Sequence, residues 1–262
     1  MKSLAETLGR RFPEIPCMPD SSRPHPHTSV GIEIELENVS HATPDGKRWH
    51  TYTNEGSIIN GVEFISHPVW GTGITDALEE MDTILADLTP KATSRCSVHV
   101  HVNMLDLPLD TIAYLVELYT VYERQIFRMH ANWDRENNPF CIPAYKSSGL
   151  QRSYSRLISS LRDKRRRLEG AYVGTKYAGM NPNNLKSLGT LEFRHMGASV
   201  DTKAISEWID ILLQLKVAAQ AQAPIDRPDL VWGPYASLIA DLTQPGDMEA
   251  GLETVNTYSI WR

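Results

Sequence analysis

The 262-residue chain has no Cys-x-x-Cys pair, and its three cysteines, Cys17, Cys96 and Cys141, lie far apart. That spacing offers neither a zinc ribbon nor a disulfide framework. No apolar run approaches the ~20 residues needed to span a bilayer. The first 28 residues are polar and proline-rich, without the apolar stretch of a signal peptide, so a cytoplasmic location is expected. Internal repeats, low-complexity segments and a convincing nucleophile–base triad are all missing. A net charge of −6 argues against a general nucleic-acid binder. One local exception is the basic run Arg162, Lys164, Arg165, Arg166 and Arg167, which reads as a solvated helix face or a contact for an anionic substrate.

Composition is that of a globular protein, 41% apolar and 22% charged, with enough length for a substantial core. Pro13, Pro16, Pro19, Pro24 and Pro26 predict an extended leader behind a short N-terminal helix, within residues 1–28. Residues 48–60 read as strand, turn and strand, and residues 61–66 as another strand stopped at His67-Pro68. Apolar spacing predicts helices over 73–88, 108–131 and 203–222, and one reaching about 169. Strands and helices do not alternate one for one as in a parallel βαβ fold, and an α+β architecture fits better. The expected class is α+β, with a curved, mostly antiparallel sheet and helices packed on one side.

The informative strands carry acids and histidines. Glu33, Glu35 and Glu37 alternate with Ile32, Ile34 and Leu36, which puts the carboxylates on one face about 7 Å apart. Exposed strands often alternate this way, but here the pattern recurs. Glu63 lies in a second strand, with Glu55 in the turn before it. His99 and His101 share a face of a third strand, opposite Val98, Val100 and Val102. Glu192 and Arg194 share a face of a fourth. Buried carboxylates are costly unless paired or metal-bound. An oxygen-rich set with an occasional imidazole favours Mg²⁺ or Mn²⁺ over zinc, and so many acids suggest two or more metal ions. An acid beside an arginine suits a place where metal and phosphate meet.

Other histidines carry less. His25, His27, His41 and His50 fall in loop-like sequence and read as surface groups, and His67 as a residue at the cleft edge. His195 alternates away from Arg194 and reads as packed. Cys141 reads as a buried structural cysteine more readily than as a nucleophile.

In order and spacing, GIEIELE (31–37), NEGSI (54–58), GVEFISHP (61–68), SVHVHVN (97–103), Tyr177 to Asn181 and GTLEFR (189–194) resemble the amidoligases. These belong to the superfamily of glutamine synthetase and glutamate–cysteine ligase. The resemblance runs from about residue 29 to about 215 and implies a single catalytic domain over 29–262. It implies an ATP-dependent carboxylate–amine ligase with a glutamine synthetase-like catalytic fold, working through an acyl phosphate. By resemblance Glu33, Glu35, Glu63, His99 and Glu192 are metal ligands. His101, Arg194 and Asn103 contact the nucleotide. Arg194, His101 and Glu55 stand nearest the chemistry, and Arg135, Tyr177 and Asn181 face the substrate. The chain has Glu55 where the family usually has aspartate before Gly-Ser, one methylene longer. The implied partners are small-molecule or peptide carboxylates and amines, with no membrane, and an oligomer is compatible. Two other readings fit single motifs: a metal-dependent hydrolase built on His99 and His101, and an inactive scaffold of the same fold. The hydrolase barrel would need about eight βα units.

Overall fold

The computed structural model describes residues 2–9, 29–39, 46–53, 58–86, 88–129, 135–163 and 176–259, with side chains described to residue 255. The order of elements is α1 (Leu4–Thr7), β1 (Val30–Glu37), β2 (Trp49–Tyr52), β3 (Gly61–Ser66), α2 (Thr72–Ala86), β4 (Ser97–Asn103) and α3 (Leu109–Arg128). Two 3₁₀ turns at Arg135–Asn137 and Ala144–Lys146 lead into α4 (Ser148–Arg162). There follow β5 (Met180–Asn181), α5 (Asn184–Ser187), β6 (Thr190–Gly197), α6 (Thr202–Gln220), α7 (Pro228–Trp232), α8 (Ala236–Leu242) and α9 (Asp247–Ser259).

The class is α+β. Six strands form one sheet in the order β2-β3-β1-β4-β6-β5, and every pairing is antiparallel. An eight-unit βα barrel is therefore not what these residues build. Period-2 alternation sorts the two faces. Ile32, Ile34, Val62, Phe64, Val98, Val100, Val102, Leu191 and Phe193 are all at most 1% exposed. Each such side chain contributes roughly 1.5–3 kcal/mol by leaving water.

Helices cover this apolar face. The Trp49 indole donates to Ala77 O of α2 at 2.8 Å, the Tyr119 ring of α3 meets Phe193 at 6.0 Å, and Trp208 of α6 meets His195 at 5.9 Å. One hydrophobic cluster runs from Leu4 to Ile239, so the short N-terminal helix is part of the core. Its capping box, Ser3 with Glu6, starts α1, and Leu4 N and Ala5 N bond to Leu107 O and Leu105 O. Asp201 caps α6 through Lys203 N and Ala204 N, and Arg128 stands in the last turn of α3, where its charge suits the helix dipole. Gly251 lets α9 close onto α3, since a Cβ there would stand 2.6 Å from Val121 O. Among the described residues no helix is long and apolar enough to cross a membrane.

Two expectations need correction. Residues 48–60 do not form strand, turn and strand: β2 ends at Tyr52, residues 58–60 are bends, and 54–57 lie outside the described residues. The hairpin partner of β2 is β3, in the register Trp49↔Ser66 to Tyr52↔Glu63. Asn60, at φ 49°, and Gly61, packed on Leu36 O, turn the chain before β3 begins. His50 accordingly lies on a strand rather than a loop, although it is exposed, with its ring 4.3 Å from that of His67. The helices stop earlier than their apolar spacing predicts, at Ala86, Arg128, Arg162 and Gln220. Residues 164–175, which include most of the basic run, lie outside the described residues.

Candidate metal and phosphate site

Register brings the acidic and imidazole residues together on the sheet face opposite the helices. Glu35 stands across from Glu63, Glu33 across from His99, His101 across from Glu192, and Glu192 across from Asn181. Each pair is a cross-strand neighbour of the kind that lies within about 5.5 Å at Cβ. Two trios result, Glu33–His99–Glu192 and Glu35–Glu63–His99, and in each the candidate ligand atoms lie within 4.8 Å of one another. His99 belongs to both. All five residues expected as metal ligands are thus gathered into one cluster.

A shift of register on β6 aims Arg194 into it. Val98 pairs with Met196 but Val100 pairs with Phe193, so Arg194 and His195 together oppose His99. Such an extra residue re-aims side chains next to a site. Arg194 turns to the acidic face. Its Nη1 donates to Glu192 Oε1, its Nε donates to Phe140 O at 3.0 Å, and Nη2 has no hydrogen-bond partner among the described residues. His195 turns the other way, into a ring cluster with Tyr119, Phe127 and Trp208, as its alternation predicts.

Glu33 bridges the two imidazoles, with Oε2 3.0 Å from His99 Nδ1 and Oε1 3.1 Å from His101 Nε2. Burial alone would raise the Glu33 carboxyl. Hydrogen bonds and charge from His101 and His99 outweigh burial and hold it well below the usual carboxylate range. The converse holds for His101, which burial would lower and which the Glu33 carboxylate raises.

The remaining expected residues, Glu55 apart, lie beside this cluster. Asn103 follows His101 on the same face, but its side-chain oxygen accepts from Leu105 N at 2.9 Å and shapes the turn. Asn181 donates to Glu192 Oε2 at 2.7 Å, joined by Asn184 at 3.1 Å, so it stands as a support of the acid. Tyr177 packs edge-on to Phe140 at 5.3 Å and lies 5.9 Å from the Arg194 guanidinium. Arg135 is 2% exposed, donates to Arg194 O at 3.0 Å, and has no hydrogen-bond partner for its buried Nε among the described residues. Glu55 lies outside the described residues. Glu37 does not join the cluster, because Arg95 takes its carboxylate in two contacts of 2.8 and 2.7 Å. Cys141 is fully buried, and burial pushes its thiol up to about 11, away from a reactive thiolate.

Two supports escape sequence reasoning. Ser97 contacts both Glu35 and His99, and Thr190 Oγ1 lies 3.1 Å from His101 Nδ1. The signal for Ser97 was its period-2 position before His99. That for Thr190 appears only with the β4–β6 register.

The donor set suits hard divalent cations. It consists of carboxylate oxygens and one imidazole, buried apart from the half-buried Glu33, with the ligand atoms of each trio within 4.8 Å of one another, and it is anionic in excess of the neighbouring arginine. Residues 42–216, more than half of the chain, match the family described as "Putative amidoligase enzyme". The chain belongs to this amidoligase family. Membership makes it an enzyme of ligase type. No curated protein matches the chain. The amidoligase match spans Glu63, His99, His101, Arg135, Tyr177, Asn181, Glu192 and Arg194 but begins after β1. Glu33 and Glu35 join the amidoligase residues through strand pairing.

Proposed function

We propose that the chain is an ATP-dependent carboxylate–amine ligase that forms an amide or isopeptide bond on a small molecule or peptide. The observation that carries this reading is the pair of ligand trios sharing His99, with Arg194 turned onto the same face. The sheet would then be of the glutamine synthetase-like kind, with its acidic face as the nucleotide and metal floor. A protein drawing on ATP in this way would work in the cytoplasm.

The reaction has two stages. A substrate carboxylate takes the γ-phosphoryl group of ATP, releasing ADP, and an amine then displaces phosphate from the acyl carbon. Glu33, Glu192 and His99 would hold one divalent cation, and Glu35, Glu63 and His99 a second. Mg²⁺ or Mn²⁺ there supplies charge neutralisation and orientation for the ATP phosphates. Arg194 has its Nε anchored and its Nη2 open, so it presents a fixed fork to a phosphate oxygen. His101 is held on Glu33 and Thr190 beside it. Arg135, buried behind Arg194, adds positive potential for an anionic substrate. No side-chain nucleophile is needed, in keeping with the buried thiol of Cys141. The segment from residue 135 to α4 borders Arg194 through Phe140 O, and substrate choice would lie there.

The test is ADP release with Mg²⁺ or Mn²⁺ against pools of amino acids and amines. Release that requires both a carboxylate and an amine is expected. Glu192→Ala should lower it by about a hundredfold or more while circular dichroism stays unchanged. Wild-type rates in that variant would remove Glu192 from the site. Failure of the protein to bind ATP with either cation would overturn the ligase reading.

A further inference from the structure

Ile65 is the one aliphatic side chain that the described strands turn to the acidic face, and it stands directly beside the charged cluster. It is the cross-strand neighbour of Glu33 on one side and of His50 on the other. The β2–β3 ladder runs one step past Ser66, since His67 N donates to Arg48 O at 2.8 Å. Two residues after Ile65, His67 leaves the sheet on the same face. Its ring agrees: it meets that of His50 with centroids 4.3 Å apart and planes at 76°.

The face therefore has two unlike halves. Over β1, β4 and β6 it carries acids, imidazoles in contact with acids, and Arg194. Over β2 and β3 it carries His50, Tyr52, Ile65 and His67, with Glu63 as the single acid. This second half is also the more open. Ile65 and His67 are half-buried, His50 is exposed and Tyr52 is 48% exposed, whereas Glu35, Glu63 and His99 are buried. Neither the His50 nor the His67 ring has a hydrogen-bond partner among the described residues. On the β1 side of the same corner Gly31, two residues before Glu33, raises no side chain. An apolar floor flanked by rings and joined to a few polar groups is the make-up of a small-molecule seat.

The span identifies what reaches it. Ile65, Glu33, His99 and Arg194 lie in one row across the sheet. From β6 to β3 that row covers three strand spacings, about 14 Å. An extended nucleoside triphosphate with its last phosphate at Arg194 lays the phosphate chain over the two ligand trios and its base over Ile65. We propose that Ile65, His50 and His67 form the seat of the adenine ring of ATP. Ile65 lies beneath the ring, and the two imidazoles, set at a steep angle, offer it one face to stack on and one edge to abut. The proposal rests on the ligase reading above and deepens it: the charged half of the face takes metal and phosphate, and the β2–β3 corner takes the nucleoside. Removing a ring on which a base stacks commonly weakens binding about 5–100-fold.

The experiment compares two ligands by titration calorimetry in the presence of Mg²⁺: ATP, and inorganic tripolyphosphate, which has the phosphate chain but no nucleoside. The wild-type protein should bind ATP the more tightly. His67→Ala should weaken ATP about 5–100-fold and leave tripolyphosphate within about twofold, and His67→Phe, which keeps a ring, should recover most of the loss. His50→Ala should shift ATP in the same direction, and at an exposed position it leaves the fold intact even where His67→Ala does not. Unchanged ATP binding in both alanine variants overturns the proposal, as do equal losses for the two ligands, while ATP binding itself leaves the ligase reading standing. A wild-type protein that binds neither ligand overturns the ligase reading and the adenine seat together. If ATP shows the ring dependence but no ADP is released with any carboxylate and amine, the ligase reading falls and the adenine seat stands.

Discussion

Two carboxylates on opposite sides of the sheet show how partners decide what a withdrawn charge is for. Glu33, on the acidic face, sits between two imidazoles. Glu123, on the helical side, is 1% exposed and accepts from Ala144 N at 2.8 Å, Tyr145 N at 3.0 Å and the Tyr119 hydroxyl at 2.7 Å. Burial pushes both carboxyls upward. At Glu33 the imidazoles, which can themselves take up charge, outweigh it. At Glu123 burial wins over three neutral donors, and the group rises to about 7. The first arrangement sets a carboxylate against two groups that can themselves carry charge. The second clamps chain: it ties α3 to the segment whose earlier residues include Arg135 and Phe140, the two that brace Arg194.

The contrast breaks most visibly if the clamp is removed. Glu123→Ala would orphan two backbone N–H groups, each costing about 1–3 kcal/mol when buried without a partner, and would leave the Tyr119 hydroxyl only its contact with His195 Nε2 at 3.0 Å. Urea unfolding should show a loss of about 3 kcal/mol or more, with a smaller loss for Glu123→Gln, which keeps an acceptor oxygen. A loss below about 1 kcal/mol in Glu123→Ala would mean the segment is held by other contacts.

The pH dependence sharpens the same contrast. A carboxyl near 7 in the fold and about 4.3 when unfolded binds its proton more tightly in the folded chain. Its contribution to stability is fully present below the unfolded value and is lost as pH rises through about 7. The expected loss is on the order of 3 kcal/mol. Glu33 runs the other way: its contribution is present above the unfolded value and is lost only as pH falls through its depressed folded value. Unfolding measured across weakly acid to weakly alkaline buffers should therefore show stability falling, and Glu123→Gln should flatten that slope. An unchanged slope in the variant would assign it to another group.

Much of the acidic face was legible because β-strand alternation is a strict period: once Glu33, Glu35, His99, His101, Glu192 and Arg194 are on strands, their faces follow. The order of the strands was not legible, and with it went the pairing of Asn181 with Glu192 and of Thr190 with His101. Those contacts depend on register between segments far apart in sequence. The extra residue at Arg194–His195 was likewise invisible, although alternation still separated the two side chains correctly. Glu123 reads as a polar residue on a helix, yet it lies four residues after Tyr119, which faces the core, and that spacing puts both on one stripe. Glu37 shows what alternation alone leaves open: it shares the face of Glu33 and Glu35, yet Arg95 takes its carboxylate.

Glu37 offers the smallest and most discriminating test of the site. It extends the Glu33–Glu35 pattern by one more alternation, and by period alone it belongs with them. Arg95 holds it instead: its hydrogen bond to the carboxylate, with help from Ile59 N and against burial, lowers Glu37 to about 2. The Arg95 side chain is 48% exposed, so solvent screens the pair, and its worth is about 0.2–1 kcal/mol. Glu37→Gln should cost less than about 1 kcal/mol in urea unfolding and change ADP release by no more than about twofold. Glu35→Gln, two residues earlier on the same face, should lower ADP release by about a hundredfold, since that carboxylate stands in a ligand trio. Equal losses in both variants would mean that Arg95 gives up Glu37 when ligands bind and that the cluster extends one strand position further. Unequal losses would show that a cationic neighbour, and not the face of the strand, draws the boundary of the site.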